Sequence, residues 1–443
     1  MAHRVREILI MGAAAALLTA CGQGQGGTPA NSVVGYGNNP ALPDPQKKLI
    51  PTVKVSDVVG WPAGKTPQAP AGFRVQPFAT GLDHPRWLLT LPNGDVLVAE
   101  SNAPPKDEKP KGIKGIAEAM LMKKAGAGVK SADRITLLRD ADHDGVAETK
   151  VPFLTKLYSP FGMALVGNTL YVANADAIVA YPYIEGATSI TAPGRKVTDL
   201  PGGPINHHWT KNIIASPDGK YLYATVGSNS NVGENGIAAE TDRAAILQVD
   251  LATGAKKVFA SGLRNPNGMG WDQATGQLWT SVNERDELGN DLVPDYITSV
   301  REGGFYGWPY SYFGKHVDKR IKDADRRPDL VERAIVPDFA VGAHTASLGL
   351  TFYDGASFPA RYRGGVFVGQ HGSWNRNPQA GYKVIFVPFA GGKPAGKVED
   401  FLTGFLDDKG KAQGRPVGVT VDKGGALLVA DDVGNAVWRV SPQ

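Results

Sequence analysis

Along most of the chain, apolar residues alternate with small or polar ones in short runs that break at turn residues. The run PRWLLTLPNGDVLVAE, Pro85 to Glu100, shows the template: an apolar strand, an Asn-Gly turn, and a second strand with a polar end. Copies follow as PFGMALVGNTLYVAN (Pro160 to Asn174), NIIASPDGKYLYATVGSN (Asn212 to Asn229) and PNGMGWDQATGQLWTSVNE (Pro266 to Glu284). The fifth is LGLTFYDG from Leu348 with GGVFVGQH ending at His371, and the sixth is PVGVTVDKGGALLVADD, Pro416 to Asp432. Alternation around Asn-Gly, Asp-Gly or Gly-Gly turns is the pattern of a β-hairpin. Six such hairpins spread evenly over residues 72–443 predict an all-β fold, a six-bladed β-propeller. A β-sandwich or two separate β domains fit that even spread less well. One stretch breaks the pattern: Pro104 to Lys130 holds GIKGIAEAMLMKK, which predicts a short helical insertion in the first blade.

The N-terminus reads differently. Arg4 and Arg6 precede an apolar run from Ile8 to Leu18 that is too short to span a bilayer as a permanent helix. It closes on Leu18-Thr19-Ala20-Cys21, which resembles a bacterial lipoprotein signal. Residues 1–20 are therefore expected to be removed, Cys21 to be lipidated, and 21–71, rich in Gly, Pro, Asn and Gln, to be a flexible tether. This places the protein in the cell envelope, lipid-anchored on the periplasmic side, with the outer membrane expected. Cys21 is the only cysteine, which excludes an internal disulfide and a thiolate metal cluster. The 55 glycines and 32 prolines are too many for a helical protein and suit short strands and turns. A net charge of +4 without clustered basic residues gives no nucleic-acid footprint.

Candidate chemistry collects where the copies end: Glu100, Asn174, Ser228 and Asn229, Asn283 and Glu284, Gln370 and His371, Asp431 and Asp432. Such residues are either turn formers or the rim of a central channel. Asn206-His207-His208-Trp209 precedes the third copy, where one histidine is a candidate general base and the other a structural one. The loop Asn283 to Asp291 is crowded with oxygen ligands of the kind a hard cation takes. Arg264, Arg376, Lys383 and Arg415 lie near strand ends of three blades and suit a polyanionic ligand, while Tyr306, Trp308 and Trp374 offer faces for a flat ring. A second acidic loop, Asp140 to Gly145, lacks a twelfth-position glutamate and reads as a polar turn.

The stretches LRNPNGMGW, NERDELGND, GGFYGWPYSY and GQHGSWNRNPQAGYKVIFVPF, in that order, resemble the L-sorbosone dehydrogenase family. That family is related to the soluble glucose and aldose sugar dehydrogenases that depend on pyrroloquinoline quinone (PQQ). The resemblance runs from about Phe73 to the C-terminus and is specific only after Asn206. It implies a six-bladed propeller that oxidises an aldose or sugar aldehyde by hydride transfer to PQQ, with Ca²⁺ as activator. By the same resemblance His208 is the catalytic base. Arg264, Asn265, Tyr306, Arg376 and Arg415, with Lys383 as an alternative, bind cofactor. The metal loop falls on Glu284, Arg285, Asp286, Glu287 and Asp291. Two departures stand out: Arg285-Asp286-Glu287 replaces the family's Gly-Pro, and His207 takes the place of an Asp before the base. The implied partners are a small sugar or aldehyde and an envelope electron acceptor, a cytochrome or quinone, with the membrane met through the lipid alone. Two other functions compete: a propeller lactonase with Asn174, Asn229, Glu284 and Asp431 around one cation, and a propeller that only binds a partner.

Overall fold

In the computed structural model, the structure describes residues 34–46, 52–105, 128–322 and 325–443. Among the described residues, six sheets, each built on four antiparallel strands, are arranged as a six-bladed β-propeller. Blade 1 is built from Pro85–Thr90, Val96–Glu100, Arg134–Arg139 and Thr149–Leu154, and blade 2 from Met163–Val166, Thr169–Ala173, Ala177–Pro182 and Arg195–Asp199. Blade 3 uses Ile213–Ala215, Tyr221–Val226, Ala245–Asp250 and Lys256–Ser261, and blade 4 uses Pro266–Trp271, Leu278–Val282, Pro294–Ser299 and Phe339–Ala343. Blade 5 holds Ser347–Phe352, Val366–Gln370, Lys383–Val387 and Glu399–Leu402. Blade 6 joins Pro416–Val421, Leu427–Asp431 and Ala436–Pro442 to Phe73–Thr80 from the other end of the chain.

That last pairing closes the ring. Phe73 meets Phe358 and Phe401 edge-on, at 4.7 and 5.3 Å between ring centroids, inside the aromatic core between blades 5 and 6. Burying one phenylalanine side chain contributes roughly 1.5–3 kcal/mol, so the closure is held by packing as well as by its ladder. Each blade packs both faces, and the second strands are accordingly buried, end to end in Val96–Glu100 and Leu427–Asp431.

The first strand of each blade lines the axis, and successive first strands lie against one another. They approach so closely that a Cβ at Gly268, Gly349 or Gly418 would collide with the backbone of the next blade's inner strand. This is the physical content of the glycine that recurs near the start of these copies. The polar residues that end each copy lie at or just beyond the end of the second strand, not the innermost one. They still reach the channel mouth, because the strands are antiparallel: Pro85 pairs Glu100, Ser347 pairs Gln370, and Pro416 pairs Asp431.

Two expectations about the periphery need restating. Cys21 and the 1–20 signal lie outside the described residues, as does the body of the helical insertion, 106–127. The described parts of the expected tether are not loose. Tyr36–Gly37 adds a strand to blade 4 beside Phe339–Ala343, and residues 52–71 lie on blades 5 and 6 through backbone bonds at Lys54, Val59 and Gln68. Trp61 explains part of this, since its ring packs on Phe405 and Trp438. A Gly- and Pro-rich composition permitted a tether, but a few well-placed apolar side chains docked the segment instead.

Candidate active site

At the mouth, the starts of the inner strands and the ends of the second strands bring two polar clusters together. The first joins blades 3, 4 and 5. His208 Nδ1 lies 2.8 Å from the Ser228 carbonyl oxygen and 3.0 Å from Ser228 Oγ. Donation from Nδ1–H to that carbonyl leaves Nε2 as the unprotonated nitrogen. Burial, with the nearby His207 and Arg264, pushes the His208 pKa well below the usual histidine value. Gly227 is the backbone beneath, and any Cβ there would strike both Asn265 Oδ1 and His208 Cβ. Asn265 Oδ1 and Arg264 Nε are both buried here without a hydrogen-bond partner.

Arg264 is held from three sides. Its Nη1 donates to the Glu284 carbonyl at 2.7 Å, and its Nη2 reaches Asn231 Oδ1 and Asp286 Oδ2, each at 3.1 Å. Asp286 also accepts from Asn375 Nδ2 at 2.7 Å and faces His344 Nδ1 at 3.4 Å. Burial opposes charge on both Asp286 and His344. The Arg264 guanidinium nevertheless keeps the Asp286 pKa low, and Asp286 raises that of His344. Glu284 feels Arg264 too, but less strongly than its burial. Burial, with Asp295 and Asp286 close by, pushes its pKa up to about 8, and Asp295 rises to about 6.

The second cluster joins blades 5, 6 and 1 around Asp432. Its Oδ2 accepts from Arg86 Nη1 at 2.5 Å and His371 Nε2 at 2.8 Å, with His84 Nε2 at 3.4 Å. Burial works against the charge of Asp432, but these cations and imidazoles hold its pKa far below the carboxylate range. Both histidines are lowered, chiefly by burial and also by Arg86 and Arg415, with His84 at about 4. Arg86 extends over Phe161 and Trp209, at 5.8 and 5.9 Å from the ring centroids, which links this cluster to the His208 side. Arg86 Nε, Arg415 Nε and Asp432 Oδ1 are buried and unpartnered.

Several expected site residues are not gathered at this mouth. The OH of Tyr306 donates to the Ser299 carbonyl at 2.5 Å, its ring is buried in the core of blades 3 and 4, and burial pushes its pKa to about 12. Arg376 is spent bracing a loop, on the carbonyls of Asn290 and Pro378 and on Asp291 at 2.7 Å. Lys383 turns to Asp400 on the outer strand of its blade, 2.6 Å away. Trp308 donates to the Asn231 carbonyl at 2.9 Å, behind Arg264, and Trp374 is exposed.

The expected Ca²⁺ loop does not offer a carboxylate set either. Arg285 forms a buried ion pair with Asp318, Glu287 pairs Arg320 at 3.1 Å, and Asp291 pairs Arg376. Asp286 is committed to Arg264, and its carbonyl accepts from Arg320 at 3.0 Å. Arginines stand where a cation would need those oxygens. Among the described residues, the acids that do converge are Asp140, Asp142, Asp144 and Glu148, on an outer turn of blade 1 far from the mouth in the blade. Glu148 joins that turn from its ninth position. The lactonase set disperses as well: Asn174 Oδ1 accepts from the Tyr158 amide, and Asp431 accepts from Trp61, Trp438, Arg415 and Gly434.

Arg86 and His84 were missed by sequence reasoning, although Asp432 and His371 stood among the strand-end candidates. Superposing the copies on their opening proline would have found one of the two, because His84, Asn265 and Arg415 then occupy one position.

Comparison with known proteins adds to this geometry. Residues 174–373 match the family described as Glucose / Sorbosone dehydrogenase, and residues 317–443 match one described as TrAA12-like. A protein of Borreliella burgdorferi described as uncharacterized is 28% identical over 365 residues, covering 80% of this chain and 90% of that protein. The pyrroloquinoline quinone-dependent pyranose dehydrogenase of Coprinopsis cinerea is 24% identical over 360 residues, 72% of this chain; the match spans 44% of that longer protein. Among solved structures, an iodide structure of the Trichoderma reesei Carbohydrate-Active Enzymes Family AA12 protein aligns with a TM-score of 0.68 at 19% identity, over 85% of this chain and 98% of the other. The holo PQQ domain of the Coprinopsis enzyme aligns at 0.65 and 20% identity, over 88% of this chain and all (100%) of that domain. These structural likenesses concern the fold.

Proposed function

We propose that the chain is a PQQ-dependent dehydrogenase that oxidises an aldose or sugar aldehyde, sorbosone-like in class, at the propeller mouth. The observation that carries this reading is His208. Its Nδ1 is tied to Ser228, its pKa is depressed, and it stands beside the unpartnered polar atoms of Arg264 and Asn265. A neutral imidazole with one nitrogen occupied presents the other as a base of fixed direction. Arg264 and Asn265 orient the hydroxyl that loses its proton.

The buried, unpartnered Nε atoms of Arg86, Arg264 and Arg415 fit a rigid polycarboxylate, because each is an N–H donor already desolvated and lacking an acceptor. PQQ, when bound, supplies the orthoquinone that accepts the hydride. The acids of the 284–291 loop do not fit Ca²⁺ as ligands, so the positive charge beside the reacting oxygen is assigned to Arg264. The same proposal places the protein in the periplasmic envelope, anchored through Cys21, passing electrons to an envelope cytochrome or quinone.

The test is reconstitution of pure apo-protein with PQQ, with and without Ca²⁺, followed by a sugar and aldehyde panel in a dye-reduction assay. Substrate-dependent reduction that requires PQQ is expected. PQQ that binds nowhere near the mouth, or lactone hydrolysis without quinone, would overturn the reading.

A further inference from the structure

Residues 52–61 run along the rim of the mouth and bond, one after another, to segments that carry the cluster around Arg415. The Lys54 amide donates to the Trp374 carbonyl at 2.8 Å, and Val59 and Asp57 exchange backbone bonds with Ala412, each at 2.8 Å. Two side chains go further, and both lead to Arg415. Ser56 Oγ donates to Tyr382 OH at 3.0 Å. That same phenol oxygen accepts from Arg415 Nη2 at 3.3 Å, and the guanidinium lies 5.2 Å from the Tyr382 ring centroid. Trp61 Nε1 donates to Asp431 Oδ2 at 2.6 Å, while Asp431 Oδ1 accepts from the Arg415 amide at 2.7 Å. Side chain and backbone of one buried arginine are thus each one residue removed from the strap.

We infer that this N-terminal strap is a positioning element of the active site, in which Ser56 and Trp61 set the guanidinium of Arg415 through Tyr382 and Asp431. A strap that served only to cover the blade edge would be satisfied by its backbone bonds and by the packing of Trp61. The two polar contacts add something packing does not require, since each ends on a buried group that itself grips Arg415. Ser56, Tyr382, Arg415 and Asp431 are all buried; Tyr382 OH keeps its bond to the Ser373 carbonyl and Asp431 Oδ2 its bond from Trp438, so losing a strap bond removes one of two tethers on a group that grips Arg415. The strap also joins the site to the part of the chain that leads back toward Cys21 in sequence.

The consequence for cofactor affinity rests on the reading that Arg415 faces PQQ, but the coupling itself can be measured without cofactor. The variants are Trp61→Phe, which keeps an aromatic ring and removes the N–H, and Ser56→Ala, with Ser56→Thr as the hydroxyl-retaining control, all in the full chain. In apo-protein, amide hydrogen exchange over 413–418 should speed up about tenfold in Trp61→Phe, while Thr169–Ala173 in blade 2 stays at the wild-type rate. PQQ titration should show a dissociation constant raised about tenfold in Trp61→Phe and in Ser56→Ala, and restored in Ser56→Thr. Unchanged exchange over 413–418 overturns the inference. So does faster exchange with unaltered PQQ affinity. If wild-type protein binds no PQQ, the proposed function fails, and the exchange data alone then decide whether the strap holds Arg415.

Discussion

The mouth is built around two carboxylates, and they are used in opposite ways. Asp286, on the blade 3 to 5 side, has a side chain 17% exposed and holds one arginine; its neighbour His344 has a raised pKa. Asp432, on the blade 5 to 1 side, is 1% exposed and faces the Arg86 guanidinium and two histidines, both lowered in pKa. The difference follows from what else surrounds each imidazole. His344 sees Asp286 and the Gly289 carbonyl, which favour its proton. His84 and His371 see Asp432, but also Arg86 and Arg415, and burial tips them to the neutral form. One side therefore balances its charges around Arg264 and presents the base His208. The other sets Arg86 on Asp432 and Arg415 beside two neutral imidazoles, with Asp431 shifted up to about 6, and suits an anion. The lesson is that a buried carboxylate does not by itself declare a cation site, because a guanidinium beside it already supplies the counter-charge.

The largest expected effect tests the first side. His208→Ala should lower turnover by roughly 10²–10⁴-fold, the range for losing a general base, with PQQ affinity little changed. His207→Ala should cost far less, because its ring meets His208 edge-on and does not hold it: the Ser228 carbonyl does. Single-turnover quinone reduction, with affinity titrated separately, checks both. Equal rates in wild type and His208→Ala would remove the histidine from the mechanism. The depressed pKa adds a pH signature: the rate should fall on the acid side only below the ordinary histidine range, as His208 takes its proton.

Next comes the contrast between the carboxylates. Asp432→Asn leaves Arg86 without its counter-charge in a buried setting, which should destabilise the fold by about 3–5 kcal/mol. Asp286→Asn should cost clearly less, since its side chain is partly exposed and Arg264 keeps its carbonyl and Asn231 contacts. Denaturant unfolding of both variants gives the order. Equal losses would mean that the two sides are built alike after all.

The smallest effect concerns Glu284. Its folded pKa is raised from 4.5 to about 8, so between those values the folded chain keeps a proton that the unfolded chain has lost. Its contribution to stability is therefore greatest in acid and declines as pH rises towards 8. Glu284→Gln keeps the shape without the charge and should melt several degrees above wild type at pH 9, with the gap closing near pH 5. Parallel melting-temperature profiles across that range would show that Glu284 is not held protonated.

Some of this site was legible in the chain itself. His208, Arg264, Asn265 and Arg415 stand within a few residues of where an inner strand begins, so recognising the repeat already places them at the mouth. Tyr306, Arg376 and Lys383 sit in equally suggestive motifs, yet their side chains go to Ser299, to Asn290 with Asp291, and to Asp400. A motif says which atoms are available; the neighbouring strand says which way they face. The acidic loop misled for a related reason. Its composition offers ligands for a hard cation, but Arg264, Arg320 and Arg376, all distant from it in sequence, take up Asp286, Glu287 and Asp291.

What the sequence by itself determined is the repeated hairpin, and with it the six-bladed ring. Alternation, turn chemistry and the glycine near the start of the inner strands are local, and each copy carries them independently. What only the tertiary structure decided is how the charges pair. Arg86 and Asp432 are 346 positions apart, and Trp61 and Asp431 are 370 apart. Such pairs exist only because the first and last parts of the chain share blade 6 and its border with blade 1. In a low-dielectric interior each buried charge is settled by its few nearest neighbours, and ring closure, not sequence proximity, chooses those neighbours.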